Sequence, residues 1–300
     1  MSVQVGFVGT GAMGLPIANN LIEAGHQLRI YNRTIEKASP LAAKGARLMT
    51  SAGETATPGG IVFTMLSDDG AVEGVSIGDH GLAARLAPGG IHVSMSTIAP
   101  ATARKLAAYH RERGSVYVAA PVFGRPQAAA ARQLSVCLAG PKPAIDRVQP
   151  LLEATSRRVF NFGDDPGAAN VVKLCGNFLI ASAIEAMSEA FAMAEKAGVE
   201  RTKVHELLSS SLFACPVYQG YGEAIANKRH EPAGFRLALG LKDIELALRT
   251  ARELTMPLPT ASLVRDRFLA AMAKGRADMD WSALALGALE DAALDTQAKR

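Results

Sequence analysis

The sequence predicts an α/β fold followed by an all-helical domain. Over residues 1–162, short apolar runs alternate with helical patterns, an arrangement typical of parallel strands joined by helices. From residue 163 onward the apolar patterns have the helical period, and the first of them covers about 30 residues. We therefore expect a doubly wound sheet in residues 1–162 and an all-α domain built around one long helix in residues 163–300.

Composition narrows the class of protein. The 300 residues are 49% hydrophobic and 5% aromatic, which indicates large aliphatic cores in about two domains. The net charge of +4 comes from scattered residues, without the basic runs of a nucleic-acid-binding surface. The opening apolar strand is too short and too early in the chain to be a signal peptide or a membrane span. We expect a cytoplasmic protein that binds neither nucleic acid nor membranes.

The three cysteines, Cys137, Cys175 and Cys215, lie far apart in the sequence. They show neither a CxxC pattern nor the cysteine and histidine spacing of a metal site. We expect them to be reduced and mostly buried, and we expect no metal centre.

A glycine-rich turn follows the first predicted strand, residues 3–8, and leads into a helix. Gly9 permits a sharp turn, Gly11 lets the backbone approach a pyrophosphate, and Gly14 lets the helix pack closely on the strand. Free N–H groups at the start of the helix attract phosphates. This pattern predicts a dinucleotide site, with an ordinary tight turn as the alternative. The expected contacts in the turn are Gly9, Gly11, Ala12, Met13 and Gly14.

The second strand, residues 27–31, indicates which dinucleotide binds. Sites for NAD(H) usually place an acidic residue at the end of this strand, where it accepts hydrogen bonds from the ribose hydroxyls. This chain has Asn32, Arg33 and Thr34 instead. Arg33 can pair with a 2′-phosphate through its planar guanidinium, and its two neighbours offer neutral donors. We therefore expect NADP(H); the alternative is that Arg33 and Thr34 only begin the next helix.

Further elements complete the predicted sheet. A helix is expected over residues 35–46, and strands over residues 47–51, 60–66, 91–95, 116–122, 134–140 and 158–162, the last of which closes the sheet. The strand at 60–66 ends in polar turn residues, so we expect Met65, Leu66 and Ser67 to line the dinucleotide. Ser96 and Thr97 hold the corresponding place after the strand at 91–95.

The long helix has clear start and stop signals. Asp165 is suited to the N-cap, Pro166 to the first helical position, and Gly198 to ending the helix after a basic last turn. At 1.5 Å per residue the helix is about 45 Å long. Apolar side chains surround it on nearly every side, so we expect it to be buried on several sides and to be shared with a partner subunit.

Lys173 and Asn177 lie four residues apart on this helix and therefore share a face. A lysine among apolar neighbours must reach water, a partner or a ligand, because burying an ammonium alone is very costly. Snorkelling to the surface or a core salt bridge remains the alternative. A lysine with hydroxyl and amide neighbours can donate a proton to a substrate oxygen as hydride arrives, and this chemistry needs no metal.

Five ordered motifs resemble those of the β-hydroxyacid dehydrogenase family. They lie at residues 6–14, 96–100, 120–124, 167–177 and 235–243, so the resemblance spans essentially the whole chain. It implies a Rossmann domain followed by a helical domain built around one long helix. It also implies a homodimer or a dimer of dimers, and reversible oxidation of a hydroxyl group β to a carboxylate. Residues 32–34 resemble the NADPH-using branch of the family.

The resemblance also implies roles for individual residues. Lys173 would be the catalytic acid/base and Asn177 would orient the substrate. The residues that would bind the substrate, or close the pocket over it, are Ser96, Gly124, Phe235 and Lys242, the last of which would also lie over the nicotinamide.

Three positions depart from the family pattern. Ser94 stands where the family typically has Asp, Phe123 where it has a small hydroxyl residue, and Arg125 where it has glycine. Phe123 indicates a more apolar pocket. Arg125 either holds an anionic substrate through its guanidinium or points to solvent.

The sequence therefore predicts an NADP(H)-dependent oxidoreductase that interconverts a small β-hydroxyacid and its semialdehyde or keto form, in a cleft between domains or between subunits. The alternative is an imine reductase-like enzyme that reduces C=N bonds. A third reading, a protein that holds the cofactor without turnover, is disfavoured because Lys173, Asn177, Ser96 and Lys242 occur together.

Overall fold

The structure is a computed structural model that describes residues 2–297. The chain has two compact units: unit 1 covers residues 1–173 and unit 2 covers residues 174–300. Each unit has its own hydrophobic core. In unit 1 this core lies on the strands, and in unit 2 it lies among helices.

Unit 1 contains a six-stranded parallel sheet in the order β3-β2-β1-β4-β5-β6. The order reverses between β1 and β4, as in a doubly wound fold. Phe7 and Phe63, on these two neighbouring strands, stack in the core with ring centroids 6.3 Å apart. The strands of the sheet are β1 (Gln4–Val8), β2 (Gln27–Tyr31), β3 (Arg47–Leu48), β4 (Ile61–Thr64), β5 (Ile91–Ser94) and β6 (Val116–Ala119).

A second sheet of three strands corrects the expectation that residues 158–162 close the first sheet. It has the order β7-β8-β9, from β7 (Val122–Phe123), β8 (Leu134–Leu138) and β9 (Ser156–Asn161). β7 pairs antiparallel with β8, because the short connection between them brings the chain straight back. A single bridge between Ala119 and Ala139 links this sheet to the end of β6.

Thirteen helices accompany the strands in residues 2–297. They are α1 (Gly14–Glu23), α2 (Ser39–Ala42), α3 (Asp69–Ser76), α4 (Leu82–Leu86), α5 (Pro100–Glu112), α6 (Pro126–Ala130), α7 (Lys142–Glu153), α8 (Pro166–Lys196), α9 (Arg201–Ser210), α10 (Pro216–Ala226), α11 (Leu237–Glu253), α12 (Pro259–Ala273) and α13 (Ala285–Asp291). Short 3₁₀ turns cover Ile35–Lys37, Gly53–Thr55 and Trp281–Leu284.

The expected helix over residues 35–46 is divided into a 3₁₀ turn and the four-residue helix α2. Pro40 lies at the start of α2, where its missing N–H and fixed ring prevent a continuous helix. The expected strand at 47–51 is reduced to the two residues of β3, which pairs only with β2 at the edge of the sheet.

The long helix α8 has the predicted bounds and is about 46 Å long. The Gly167 N–H donates to the Asp165 carboxylate at 2.9 Å, and Gly198 follows the helix with φ +81°. By length and composition α8 is the one helix within residues 2–297 that could cross a membrane, but Ile184 and Phe191 belong to the core of unit 2. Within this single chain one face of α8 is uncovered, where Leu179 and Met193 are exposed, and the sharing of the helix with a partner subunit stays a prediction.

The cysteines differ from the expectation in one respect. Cys137 is buried, whereas Cys175 and Cys215 are exposed, and all three are free thiols. Cys175 lies on the exposed face of α8, four residues before Leu179. Sequence pattern alone could not show which side of this apolar helix is covered.

A chain of hydrogen bonds through two buried histidines connects four secondary-structure elements of unit 1, β4, β5, α5 and α4. The Thr64 hydroxyl lies 2.9 Å from Nε2 of His92, whose Nδ1 lies 3.1 Å from Nε2 of His110. Nδ1 of His110 lies 2.9 Å from the Ser115 hydroxyl, which itself donates to the Ala83 carbonyl. When both imidazole rings are neutral, each of these hydrogen bonds has one hydrogen and every ring nitrogen has a partner. Burial lowers the pKa of His110 to about 4, and burial together with the charge of His110 lowers the pKa of His92 well below its ordinary value.

This network predicts that acid destabilises the protein. The native rings resist protonation, whereas the unfolded chain takes up protons below pH 6.5, so the contribution is constant above pH 6.5 and is lost as the pH falls toward 4. Each histidine lowers the free energy of unfolding by up to about 1.4 kcal/mol per pH unit in this window. Urea unfolding between pH 7 and pH 4.5 measures the slope. His110→Gln should make it shallower, while replacement of the exposed His80 by Gln should leave it unchanged; equal slopes in all three proteins would contradict the assignment.

Candidate active site

The glycine turn between β1 and α1 has the geometry that close backbone approach requires. Gly9 has φ +96°, and a Cβ there would lie 2.4 Å from the Met65 carbonyl oxygen. A Cβ on Gly14 would lie 1.9 Å from the Gly9 carbonyl oxygen. A Cβ on Gly11 would meet no atom of the described residues within 4 Å. Gly9 and Gly14 are therefore needed by the fold, whereas Gly11 faces open space.

The start of α1 is open to a ligand. Gly11 and Ala12 are exposed, and Met13, the residue before the helix, makes no side-chain hydrogen bond to the first turn. The first N–H groups of a helix have no partner inside the helix, and they carry its positive dipole end. These residues can hold the pyrophosphate of a dinucleotide, and the open position at Gly11 is where it would come close to the backbone.

Asn32 fixes this turn to the end of β2. The Thr10 N–H donates to Oδ1 of Asn32 at 2.8 Å, and Nδ2 of Asn32 donates to the Thr34 carbonyl at 2.7 Å. The carboxamide is therefore used within the loop, a structural role that the sequence interpretation of a free phosphate donor did not include. Arg33 and Thr34 are exposed, and Thr34 leads into the 3₁₀ turn Ile35–Lys37. The turn after Thr34 agrees with the alternative interpretation, and the pairing of Arg33 with a 2′-phosphate stays a prediction.

The ends of β4 and β5 are joined by Ser96. Its buried hydroxyl accepts a hydrogen bond from the Leu66 N–H at 2.8 Å, and Met65 and Leu66 are half-buried. The Ser67 hydroxyl donates to the Asp68 carboxylate at 2.6 Å, and Asp68 caps α3. Ser67 is exposed at this edge, and Thr97 is half-buried beside Ser96.

Lys173 is buried, with 8% of its surface exposed, and its ammonium lies 4.1 Å from the centroid of the Phe123 ring. Cys137 on β8 is near enough for the charge of Lys173 to affect the pKa of its thiol. Burial raises the pKa of the Cys137 thiol to about 11, although the positive charge of Lys173 acts in the opposite direction, so Cys137 is a neutral thiol. The lysine is thus not a surface residue that reaches into solvent along its own helix.

Gly124 and Arg125 follow Phe123. Gly124 has φ +139°, and a Cβ there would lie 2.4 Å from Cδ2 of Leu134, so only glycine fits. Arg125 is half-buried and precedes α6, and its carbonyl accepts the Ala129 N–H at 3.0 Å. The Arg125 side chain is therefore not directed wholly into solvent.

In unit 2 a buried carboxylate joins two of the predicted site residues. Nδ2 of Asn177 donates to Oδ2 of Asp243 at 2.5 Å, and the Lys242 ammonium lies 2.9 Å from Oδ1 of the same carboxylate. Phe235 packs edge-on against Trp281 with centroids 4.8 Å apart, and its N–H donates to Asp280. Phe235 is thus held against the core of unit 2.

Within each unit, contacts join some of the predicted residues to one another. The glycine turn, Asn32, the residues after β4 and Ser96 form one strand edge; Phe123 and Lys173 form a pair; Asn177 and Lys242 share a carboxylate.

Asp243 lies in the predicted motif at residues 235–243, next to Lys242, but the sequence assigned it no role. A second positioning residue was missed by sequence reasoning altogether. Asn170, one turn before Lys173 on α8, accepts the Ile98 N–H at 3.4 Å through Oδ1. Asn170 could have been found in the sequence, because it is a polar residue on a largely apolar helix, as Lys173 is.

Comparison with known proteins agrees with this geometry. Residues 4–163 match the family profile described as the NAD binding domain of 6-phosphogluconate dehydrogenase, and residues 167–286 match the NAD-binding domain of NADP-dependent 3-hydroxyisobutyrate dehydrogenase. The chain belongs to the β-hydroxyacid dehydrogenase family. It therefore binds a nicotinamide dinucleotide and is an NAD(P)-dependent oxidoreductase acting on CH–OH groups of hydroxyacids.

Relatives match over nearly the whole chain. An uncharacterized oxidoreductase of Bacillus subtilis is 44% identical, covering 94% of this chain and 98% of its own length. An NAD-dependent L-serine dehydrogenase of Pseudomonas aeruginosa is 34% identical, with coverage of 93% and 95%. A 2-hydroxy-3-oxopropionate reductase of Escherichia coli is 33% identical, with coverage of 94% and 96%.

Solved structures show the same fold. The crystal structure of a 3-hydroxyisobutyrate dehydrogenase from Salmonella typhimurium superposes with a TM-score of 0.85 at 27% identity, covering 95% of this chain and 99% of that one. An imine reductase of Bacillus cereus superposes with a TM-score of 0.62 at 23% identity, with coverage of 95% and 98%, and this likeness concerns the fold alone. Within residues 2–297 no group of three or more His, Cys, Asp or Glu side chains is arranged to hold a metal ion.

The glycine geometry predicts that two alanine substitutions in the same turn affect different properties, one the stability and the other the binding of the cofactor. Gly14→Ala should lower the free energy of unfolding by about 1–3 kcal/mol or more, because the new methyl group collides with the Gly9 carbonyl. Gly11→Ala should leave stability unchanged but weaken NADPH binding by roughly 10-fold or more, because the methyl group occupies the place of the pyrophosphate. Thermal unfolding and fluorescence titration with NADPH separate the two effects. Tight NADPH binding by the Gly11→Ala protein would place the dinucleotide elsewhere.

Proposed function

We propose that this enzyme interconverts a small β-hydroxyacid and its semialdehyde or keto form with NADP(H), and that Lys173 is its general acid and base. The observation that carries the proposal is the buried lysine of unit 1, whose charge lies against the Phe123 ring and beside a neutral thiol. Burying a cation costs free energy, so a buried lysine in such a place is a candidate for a functional role.

The chemistry divides between cofactor and protein. Bound NADPH would supply the hydride for reduction of the carbonyl carbon. Lys173 donates a proton to the carbonyl oxygen as negative charge develops there, and in the oxidation direction the neutral amine takes the proton from the hydroxyl. A positive charge close to the oxygen also stabilises the transition state before the proton is transferred.

Other residues of the predicted site are proposed to bind and orient the substrate. The Ser96 hydroxyl accepts the Leu66 N–H, so its own hydrogen remains suited to donation to a substrate oxygen. The backbone at Gly124 is held in a conformation that admits only glycine, which leaves its surface open to a small acid. Asp243 holds the Asn177 carboxamide and the Lys242 ammonium in fixed positions, as an orienting group requires.

The choice of NADP(H) over NAD(H) rests on Arg33. It follows Asn32 at the end of β2, it is exposed, and no ion pair engages it within residues 2–297. A guanidinium in this place favours a dianionic 2′-phosphate, which an acidic residue would repel. The 34%-identical relative is named as NAD-dependent, so the preference of this chain is a property to be measured on its own residues.

Cofactor preference can be tested with one substitution. Arg33→Ala should raise the KM for NADPH by roughly 10- to 100-fold, because a charge-assisted hydrogen bond to phosphate is lost, and should leave the KM for NADH nearly unchanged. Initial rates with both cofactors give the two values. Arg47→Ala, at an exposed arginine on the neighbouring strand β3, serves as the matched control. A wild-type preference for NADH, or an unchanged NADPH constant in Arg33→Ala, would refute the assignment.

Turnover itself tests the reaction and the lysine together. Oxidation of NADPH is followed with glyoxylate, succinic semialdehyde, methylmalonate semialdehyde, tartronate semialdehyde and a set of cyclic imines. We expect a carbonyl acid to be reduced, and Lys173→Ala to lower kcat by about 10²- to 10⁴-fold while NADPH binding is kept, because general acid catalysis contributes that much. Lys196→Ala, on the same helix at an exposed position, is the control and should keep its rate.

Two results would count against this proposal. Full turnover by Lys173→Ala would remove the lysine from the mechanism. Reduction of imines without reduction of any carbonyl acid would favour the imine reductase alternative, which a protonated lysine near an iminium carbon disfavours through charge repulsion.

A further inference from the structure

Phe123 lies against Lys173, the residue proposed as the general acid and base. The ammonium of Lys173 lies over the ring at 4.1 Å from its centroid, well inside the distance at which a cation and an aromatic ring attract each other. The π face of the ring carries negative potential, which neither an aliphatic nor a small hydroxyl side chain offers. The contact therefore favours the charged form of the lysine.

The ring has a fixed base. Phe123 ends β7 and is in antiparallel register with Ser135 on β8, while the preceding Val122 is in register with Val136. Gly124 has φ +139°, a conformation that favours glycine, and it lies against the Leu134 side chain. The backbone on both sides of Phe123 is thus held against β8, so the ring is presented to Lys173 by the sheet and not by a free loop.

The contact between Lys173 and Phe123 lies in apolar surroundings, where the charge of the lysine needs stabilisation. Ile98, Cys137 and Ala169 belong to the same buried cluster as the Phe123 ring, and Cys137 is a neutral thiol. Taking an ammonium from water into such a setting costs free energy and favours the neutral amine. An amine that has lost its proton cannot act as the acid in carbonyl reduction, so a group that keeps the charge on Lys173 supports the reaction.

We propose that Phe123 is a positioning residue for the reaction, which holds the Lys173 ammonium charged against its π face and directs the remaining N–H groups toward the substrate oxygen. The inference rests on the proposed function of Lys173. It explains why this chain can carry a large aromatic residue where the family pattern has a small hydroxyl residue. A tyrosine should serve in the same way, whereas leucine keeps the apolar volume and loses the π face.

The test compares Phe123→Leu with Phe123→Tyr in reduction of the best carbonyl acid. Phe123→Leu should lower kcat by roughly 2- to 30-fold and shift the alkaline limb of the kcat–pH profile downward by about 0.4 to 1.5 pH units, the range that a cation–π contact supports. Phe123→Tyr should return both quantities to within about twofold of wild type, because it restores the ring. Phe160→Leu, on the exposed side of β9, is the matched control and should change neither.

A double-mutant cycle shows whether the effect passes through the lysine. In the Lys173→Ala background, Phe123→Leu should have no further effect on kcat, because the ring then has no charge to hold. An equal effect in both backgrounds, an unchanged pH profile in Phe123→Leu, or a Phe123→Tyr protein as slow as Phe123→Leu would overturn the inference.

A measurement without turnover separates this inference from the proposed function. Reductive ¹³C-methylation labels lysines and keeps their charge, and NMR titration then follows Lys173, assigned by its absence in Lys173→Ala. The labelled amine should lose its proton at a lower pH in Phe123→Leu than in wild type. That shift together with full turnover by Lys173→Ala would leave the contact standing and refute the catalytic role. Coincident titrations in the two proteins would refute the contact itself.

Discussion

The close approach of Gly14 to the Gly9 carbonyl is the constraint on which the nucleotide end of this protein depends. A methyl group at Gly14 would lie 1.9 Å from that oxygen, so α1 starts as near to β1 as a polypeptide allows. Because the helix begins there, its first N–H groups face the edge where the parallel strands end. The open position at Gly11 lies on the ligand side of the same turn. Turn, helix start and binding surface are thus consequences of one packing contact.

Polar side chains then fix the neighbouring loops to this edge. Asn32 ties the glycine turn to the end of β2, and Ser96 ties the end of β4 to the end of β5. Asp69 and Asn170 accept the N–H groups of Ala99 and Ile98 in the loop that follows Ser96. Buried backbone groups need partners, and here side chains supply them where the sheet ladder stops. A preorganised edge of this kind reduces the ordering that a bound ligand must otherwise impose.

Local pattern predicted the elements whose cause is local. The glycine turn, the match of β2 to residues 27–31 and the start of α8 at Pro166 follow from residues next to one another in the sequence. Features that depend on distant residues could not be predicted. The strands after β6 form a second sheet, which a single bridge links to β6. The contact of Phe123 with Lys173 joins residues that are 50 apart in the chain. Likewise, apolar periodicity cannot distinguish a covered helix face from an exposed one, hence the error for Cys175.

In the proposed reaction the Lys173 ammonium, held on the Phe123 ring, gives its proton to a carbonyl acid. A crystal structure with NADP⁺ and a β-hydroxyacid bound would test this role most directly. We expect the pyrophosphate over Gly11 and the Lys173 ammonium at about 2.6–3.2 Å from the substrate hydroxyl, the reach of a proton donor. A substrate hydroxyl that contacts another proton donor while Lys173 lies out of reach would contradict it.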